Sequence, residues 1–461
     1  NTTGSANVAV GTGALGLNFN GRSGLVAIGD SAMYNNAKTV GLNYTATENT
    51  AVGYRAMYAN IDGYYNTAVG YRSLTANTFG YYNTALGDRS LQGNTTGTRN
   101  TAVGYISLSA NSTGFNNTAV GIGTLYLNST GSNNTAVGTE TLLDNTTGTN
   151  NVAVGAGSLA DNTTGSANVA VGVGTAAKST DKSDIIAIGD SALYNNTAGT
   201  GNMALGSKTL YTLTSGVQNT SAGFQAAYNS NNSYGTFFGY QAGYNTNGVS
   251  NTYIGWGAGT NASVATITTG GNNVCIGVRS GQGITGGSDN ITIGNSINTG
   301  TLALSNTVTI GNNLSNTQNN SVVLGNGSIT KWGFGVNTGA ANILEFNNAV
   351  TTARLTNGGV WTNASDKFIK ANFTELSTTD ILNRIMQLPI TRWNYKNENN
   401  SITHIGPMAQ DFYQLFKTGD DDKTISTIDP SGVALAGIQE LKLEIDKLKK
   451  EVEELKKKVK D

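Results

Sequence analysis

The 461-residue chain carries 27 Lys and Arg against 28 Asp and Glu, only 12% charged residues in all, with 61 glycines and 3 prolines. This composition gives no basic stripe for nucleic acid, no apolar stretch long enough to span a bilayer, and, with Cys275 alone, no intrachain disulfide framework. Low charge with modest hydrophobicity also suits a disordered chain, but a linker has no reason to hold apolar residues in register.

Register is what the first two thirds of the chain display. Units of the Ala-Val-Gly type end at Gly70, Gly87, Gly104, Gly121, Gly138, Gly155, Gly172, Gly189, Gly206 and Gly223, so nine successive steps measure 17 residues. The series loosens through Gly239, Gly255 and Gly277, resumes at Gly294 and Gly311, and takes a shorter step to Gly325; upstream it includes Gly11, Gly29 and Gly53. One such unit cannot bury its own apolar face and must stack on its neighbours, which predicts a solenoid. Asn1 already lies inside a repeat, so the expectation is a piece of a longer protein.

Within a unit, Asn117-Thr118-Ala119-Val120-Gly121 alternates as a short strand does, placing Ala119 and Val120 on opposite faces that are both expected to touch something. Leu108, Leu125, Leu142 and Leu159 are expected to stack as a ladder. The Asn-Thr-Thr-Gly or Asn-Ser-Thr-Gly stretches, such as Asn94 to Gly97 and Asn111 to Gly114, read as turns in which glycine supplies positive φ and asparagine bonds its own backbone. Parallel strands about 4.8 Å apart would extend the 18 intervals to about 85 Å. The row Asn100, Asn117, Asn134, Asn151 and Asn168 reads as an asparagine ladder satisfying turn backbone. Calcium is not expected, because neither a Gly-Gly-x-Gly-x-Asp repeat nor a carboxylate cluster is present. Cys275 falls at the Ala position and reads as a small buried thiol. Tyr64, Tyr65, Tyr71, Tyr81, Tyr82 and Tyr105, and then Tyr240, Tyr244, Tyr253 and Trp256, form two aromatic groups open to three readings: sugar contact, packing between rungs, or a seam between chains.

Asn-Thr-Ala-Val-Gly units, with Asn-Ser-Val-Val-Leu-Gly at Asn320 to Gly325, resemble the left-handed parallel β-roll head of trimeric autotransporter adhesins over roughly residues 5 to 325. The resemblance implies a homotrimer of side-by-side rolls. The adhesin repeat is commonly shorter than 17 residues.

Beyond the repeats the chain changes character: residues 365–461 hold 15 of the 27 basic and 16 of the 28 acidic residues. A bridging β region at 326–363 includes Trp332-Gly333-Phe334 and Leu344-Glu345-Phe346. Ile381, Leu382, Ile385 and Leu388 have helical spacing up to Pro389, Trp393 and Tyr395 alternate as in a strand, and Pro407 with Met408, Ala409, Phe412 and Phe416 predicts a helix with proline in its opening turn. Ile438, Leu441, Ile445, Leu448, Val452, Leu455 and Val459 keep an unbroken heptad seam over residues 438–461. Glu444 with Lys449, and Glu451 with Lys456, can pair between parallel helices, though such surface pairs are worth only about 0.2–1 kcal/mol each. Ile or Val at a with Leu at d ordinarily favours dimers; a seam this short is expected to follow the trimer of the larger assembly it continues.

By residue type alone, Ser365 and Lys370 are two unrelated surface residues. Their surroundings, Ser365-Asp366, Lys370-Ala371-Asn372-Phe373, Leu388-Pro389 to Lys396, His404-Ile405-Gly406-Pro407-Met408-Ala409-Gln410-Asp411-Phe412 and Ile438-Gln439-Glu440-Leu441, closely resemble the endosialidase-type intramolecular chaperone domain from about residue 362 to the end. The resemblance implies a domain that trimerises, guides folding of upstream β-structure and then cuts itself off, with Ser365 as nucleophile and Lys370 as base. A serine hydroxyl attacks only once a base takes its proton, and a lysine serves as base only when neutral, which burial favours. Phe368 stands where many relatives have arginine, and His404 reads as structural.

The expected fold is therefore mainly β: a trimeric parallel β-roll or solenoid shaft over 1–325, a bridge over 326–363, an α+β chaperone core over 364–437 and a terminal coiled coil over 438–461. The expected function is a fibre or adhesin shaft for host or surface attachment, on a virion tail or a bacterial surface, with a host glycan or protein as receptor and neither metal nor cofactor. A polysaccharide-degrading spike is the alternative; isolated acids such as Asp88 and Glu140 occupy variable positions and make no catalytic pair.

Overall fold

The computed structural model describes residues 4–18, 21–36, 46–260, 269–298, 303–326, 332–334, 342–347, 352–356, 361–363, 367–368, 370–396, 398–399, 401–419 and 421–459. The chain divides into two compact units, residues 1–330 and 331–461.

The first unit is a parallel β-solenoid. Its strands run from β1 (Val8–Val10) to β19 (Ser321–Leu324) in one 19-stranded sheet, each paired in parallel with the next in the chain. Register follows the repeat: Ala102 pairs with Ala119 and Ala119 with Ala136. The loosened steps keep the same rule, since Phe237 aligns with Tyr253 and Tyr253 with Cys275. Eighteen steps at about 4.8 Å give this unit a span of about 85 Å.

Most strands have three residues, with the middle one inward. Ala102, Ala119 and Ala136 are fully buried, as are Leu108, Leu125 and Leu142 of the expected ladder. Burying each leucine contributes about 2 kcal/mol. Val120, on the opposite face, keeps 36% of its surface in the single chain, and Leu205 in the same column keeps 48%.

The turns also correct the glycine reading. Positive φ belongs to the unit glycines, for example Gly104 at 133° and Gly121 at 136°, and to Ile106, Leu108 and Asn116 at 49–55°, but not to Gly97, Gly114 or Gly131. Gly114 is required for space: a Cβ there would overlap Asn111 Oδ1 and the Gly131 carbonyl of the next rung. A left-handed non-glycine residue costs about 1–2 kcal/mol. Rung-to-rung bonds hold these residues there: Ile106 N–H donates to Asp88 O at 2.9 Å, Leu108 N–H to Thr124 O at 2.9 Å, and Asn116 N–H to Thr98 O at 3.0 Å. A rung alone lacks those partners, so its conformation depends on the stack.

Two buried asparagine ladders run through the solenoid. In the expected one, Asn117 N–H donates to Asn100 Oδ1 at 3.0 Å while its Nδ2 donates to Gly131 O at 2.8 Å. In the second, Asn111 Nδ2 donates to Asn94 Oδ1 at 2.8 Å and to Gly114 O at 3.1 Å. These amides satisfy turn backbone that burial removes from water. Where the strand alanine becomes Phe237, Tyr253 or Cys275, the facing leucine becomes Gly243, Gly259 or Gly281, whose absent Cβ leaves room for the ring or sulfur. Cys275 is buried as expected, and burial pushes its thiol up to about 12.

The second unit contains a four-stranded sheet and an α+β region. Strand β20 (Trp332–Phe334) pairs in parallel with β21 (Asn342–Asn347), and β22 (Thr352–Thr356) joins β21 and β23 (Trp361–Asn363) antiparallel. Helix α1 (Thr378–Ile385) precedes the antiparallel pair β24 (Thr391–Trp393) and β25 (His404–Gly406), followed by α2 (Ala409–Phe416) and α3 (Asp429–Lys458). Pro407 lies just outside α2, whose N-cap is Met408. Helix α3 starts on Asp429-Pro430 and runs unbroken through residues 437 and 438 into the heptad seam.

Candidate functional site

The residues singled out for chemistry sit at the start of the α+β region. Ser365 lies outside the described residues; Lys370 is exposed in an irregular segment before α1. Between them, the Lys367 ammonium lies 5.2 Å from the centroid of the Phe368 ring.

The elements after Lys370 form the framework. Ser377 caps α1, its Oγ accepting Asp380 N–H at 3.2 Å, and Arg384 pairs with Asp380 at 2.8 Å while donating to Leu415 O of α2. Helix α1 packs on α3 where Gly437 leaves space for Ile385; a Cβ on Gly437 would lie 2.6 Å from Ile385 Cδ1. Thr378 and Thr379 at the start of α1 both donate to the Glu440 carboxylate, Thr379 at 2.8 Å. Those hydroxyls hold the Glu440 carboxyl below its ordinary value. Glu440 belongs to the Ile-Gln-Glu-Leu stretch that carried part of the resemblance, but its partners are far away in sequence and left no local signal.

His404 opens β25. Its Nε2 lies 3.0 Å from Glu398 Oε2, and its ring stands 4.7 Å from the Trp393 ring across the β24–β25 pair. Asp421 accepts from the backbone of Lys423 and Thr424 and from the Thr424 hydroxyl, which lowers its carboxyl and ties the turn before α3.

Residues 365–419 match the family model described as chaperone of endosialidase, Peptidase_S74. That segment is an endosialidase-type chaperone domain. It begins at Ser365 and includes Lys370, α1, the β24–β25 pair and α2; α3 lies beyond the match. No curated protein and no solved structure matches the chain.

In the solenoid, the rings largely pack between rungs: Tyr64 stacks on Tyr81 at 4.9 Å and Tyr65 on Tyr82 at 5.1 Å. Arg55, Arg72 and Arg89 form a short column that the composition-level view of charge passed over, although their 17-residue spacing is visible in the sequence. Arg55 covers Tyr54 and Tyr58, Arg72 and Arg89 approach Tyr71, and Asp88 lies 3.9 Å from Arg89. Among the described residues no group of three His, Cys, Asp or Glu side chains is placed to hold a metal ion, and no helix is long and apolar enough to cross a membrane.

Proposed function

We propose that the chain is one subunit of a homotrimeric attachment fibre whose chaperone domain aligns three chains and is then released by self-cleavage at Ser365. The observation that carries this reading is the order of parts: an endosialidase-type chaperone segment follows a solenoid of near-identical rungs. A shift of one repeat between neighbouring chains would preserve most contacts, so a device that aligns the chains from one end removes slipped states. Long-range parallel pairing is also slow and leaves edges open while it forms.

Exposed apolar surface supports assembly. Ile438, Leu441, Ile445, Leu448, Val452, Leu455 and Val459 all face solvent in the single chain, and Ile445, Leu448 and Val452 line a groove of about 330 Å³ along α3. The solenoid adds its open column of Val120, Val137, Val154 and Leu205. We assign both seams to contacts between copies. A virion tail is the setting we favour for a fibre with a detachable chaperone; a bacterial surface is the other.

In the cleavage step, Lys370 accepts the Ser365 hydroxyl proton as Oγ attacks the carbonyl of a peptide bond flanking Ser365. The amine leaves with a proton and water hydrolyses the resulting ester. Comparing the intact mass of the wild-type chain with Ser365→Ala and Lys370→Met tests the proposal, alongside sedimentation. A fragment beginning near Ser365 in the wild type alone, with trimers throughout, is expected. The same fragment from Ser365→Ala, or a dimer in every sample, refutes it.

A further inference from the structure

The segment from Thr209 to Val278 contains no Asp, Glu, Lys, Arg or His. It includes the rungs whose repeat falls from 17 to 16 residues, between Gly223, Gly239 and Gly255, and the longer step of 22 to Gly277. Among the described residues of these rungs no side chain is charged, yet the surface is not featureless. Phe224, Tyr240 and Trp256, each following its unit glycine, stack on successive rungs at 5.6 and 6.3 Å and are all exposed. Tyr211, Tyr228 and Tyr244 make a second column at 5.1 Å spacings, continued below by Tyr194 at 5.6 Å.

Glutamine occupies the intervening position on the two middle rungs, with Lys208 and Gly257 in its place on the outer two. Gln241 Nε2 donates to Gln225 Oε1 at 2.8 Å, an amide ladder parallel to both ring columns. In the Gly53 rung the residue at this position, Arg55, covers rings of both columns, Tyr54 and Tyr58, so the position lies between them. Cations stand only at the ends: Arg279 lies 4.4 Å from the Trp256 ring centroid and Lys178 5.2 Å from that of Tyr194, while Asp190 and Lys208 belong to the lower rungs.

We propose that this face binds an uncharged linear polysaccharide laid along the stack, one sugar to a rung. The inference rests on the attachment reading and names its ligand class. Phe224, Tyr240 and Trp256 keep 45%, 44% and 42% of their surface exposed, against which the C–H groups of a sugar ring can pack. The Gln225 and Gln241 amides and the tyrosine hydroxyls supply donors and acceptors beside the rings, and a few placed polar groups in an aromatic setting are what orient a ligand. A polyanion finds no counter-charge on the central rungs. A polymer of hydroxyls needs none.

The test is binding of the full chain to an array of neutral linear homo-oligosaccharides of graded length, followed by Trp256 fluorescence with the best ligand. Affinity is expected to rise with length and level off at about four sugars, the number of rungs from Tyr211 to Trp256 at one sugar per rung of about 4.8 Å. It should also be insensitive to salt. Tyr240→Ala with Trp256→Ala, and separately Gln241→Leu, should each weaken binding at least about tenfold, as loss of a central aromatic or polar anchor does. Tyr105→Ala, on distant rungs, should leave binding unchanged. Circular dichroism and sedimentation of each variant report whether the fold and assembly persist. Binding that survives the ladder substitutions overturns this site and leaves attachment in place. No binding to any neutral glycan overturns the ligand class, while trimer formation and Ser365-dependent cleavage still decide the broader reading. A changed oligomeric state in the ladder variants assigns the face to a contact between copies and also overturns the proposal.

Discussion

The exchange of Ala and Leu for Tyr253 and Gly259 in one rung predicts a strong coupling between two residues six apart. Tyr253 is fully buried, its ring meeting Phe237 edge-on at 5.6 Å and filling the space above Gly259. Tyr253→Ala leaves a cavity that Gly259 cannot fill, and aromatic-to-alanine changes in cores cost about 3–5 kcal/mol. Gly259→Leu alone drives a side chain into the ring. The double variant recreates the Ala119 and Leu125 pair, both fully buried elsewhere in the stack, and Gly259 at φ 64° already has the left-handed backbone that Leu125 adopts at 52°. A leucine there still carries about 1 kcal/mol of conformational cost, so most of the loss should return. Because long repeat arrays depart from two-state unfolding, the fitting assay is amide hydrogen exchange in strand β15 (Thr252–Ile254). Protection should fall by about two to four orders of magnitude in Tyr253→Ala, at tenfold per 1.4 kcal/mol, and recover to within about tenfold in the double variant. Purely additive effects of the two substitutions would refute the volume-exchange reasoning.

Two further outcomes follow from particular contacts. Gly114→Ala should destabilise the solenoid although its φ is not positive; such a change ordinarily stabilises by about 0.4–1 kcal/mol through the unfolded chain, so a rise in thermal midpoint would contradict the overlap with Asn111 and Gly131. Glu440 has a carboxyl lowered by the Thr378 and Thr379 hydroxyls, so its support for the α1–α3 contact is present above the ordinary carboxylate value and lost as pH falls through the folded one. An NMR titration of Glu440 should move upward in Thr378→Val with Thr379→Val, and an unchanged midpoint would count against the contact.

Much of the solenoid was legible because its causes are local and periodic. Ala119, Leu125 and Asn117 recur at the spacing of a rung, and a repeat that cannot bury its own face has to stack. The chaperone segment was legible through its contiguous residues from Ser365 to Phe412, within the stretch that the family model matches. The partners of Glu440 were not, since Thr378 and Thr379 lie about sixty residues away in the chain and meet it only when α1 packs on α3.

By itself, the sequence determined the repeat, the inward alanine and leucine, the asparagine ladder and the heptad seam, because each depends on residue type at a fixed interval. The tertiary structure alone decided why Gly114 is glycine, which side of Val120 stays open, and that Gly259 makes room for Tyr253. Those depend on what the next rung places a few ångströms away, and the spacing of residues along one chain does not carry that distance.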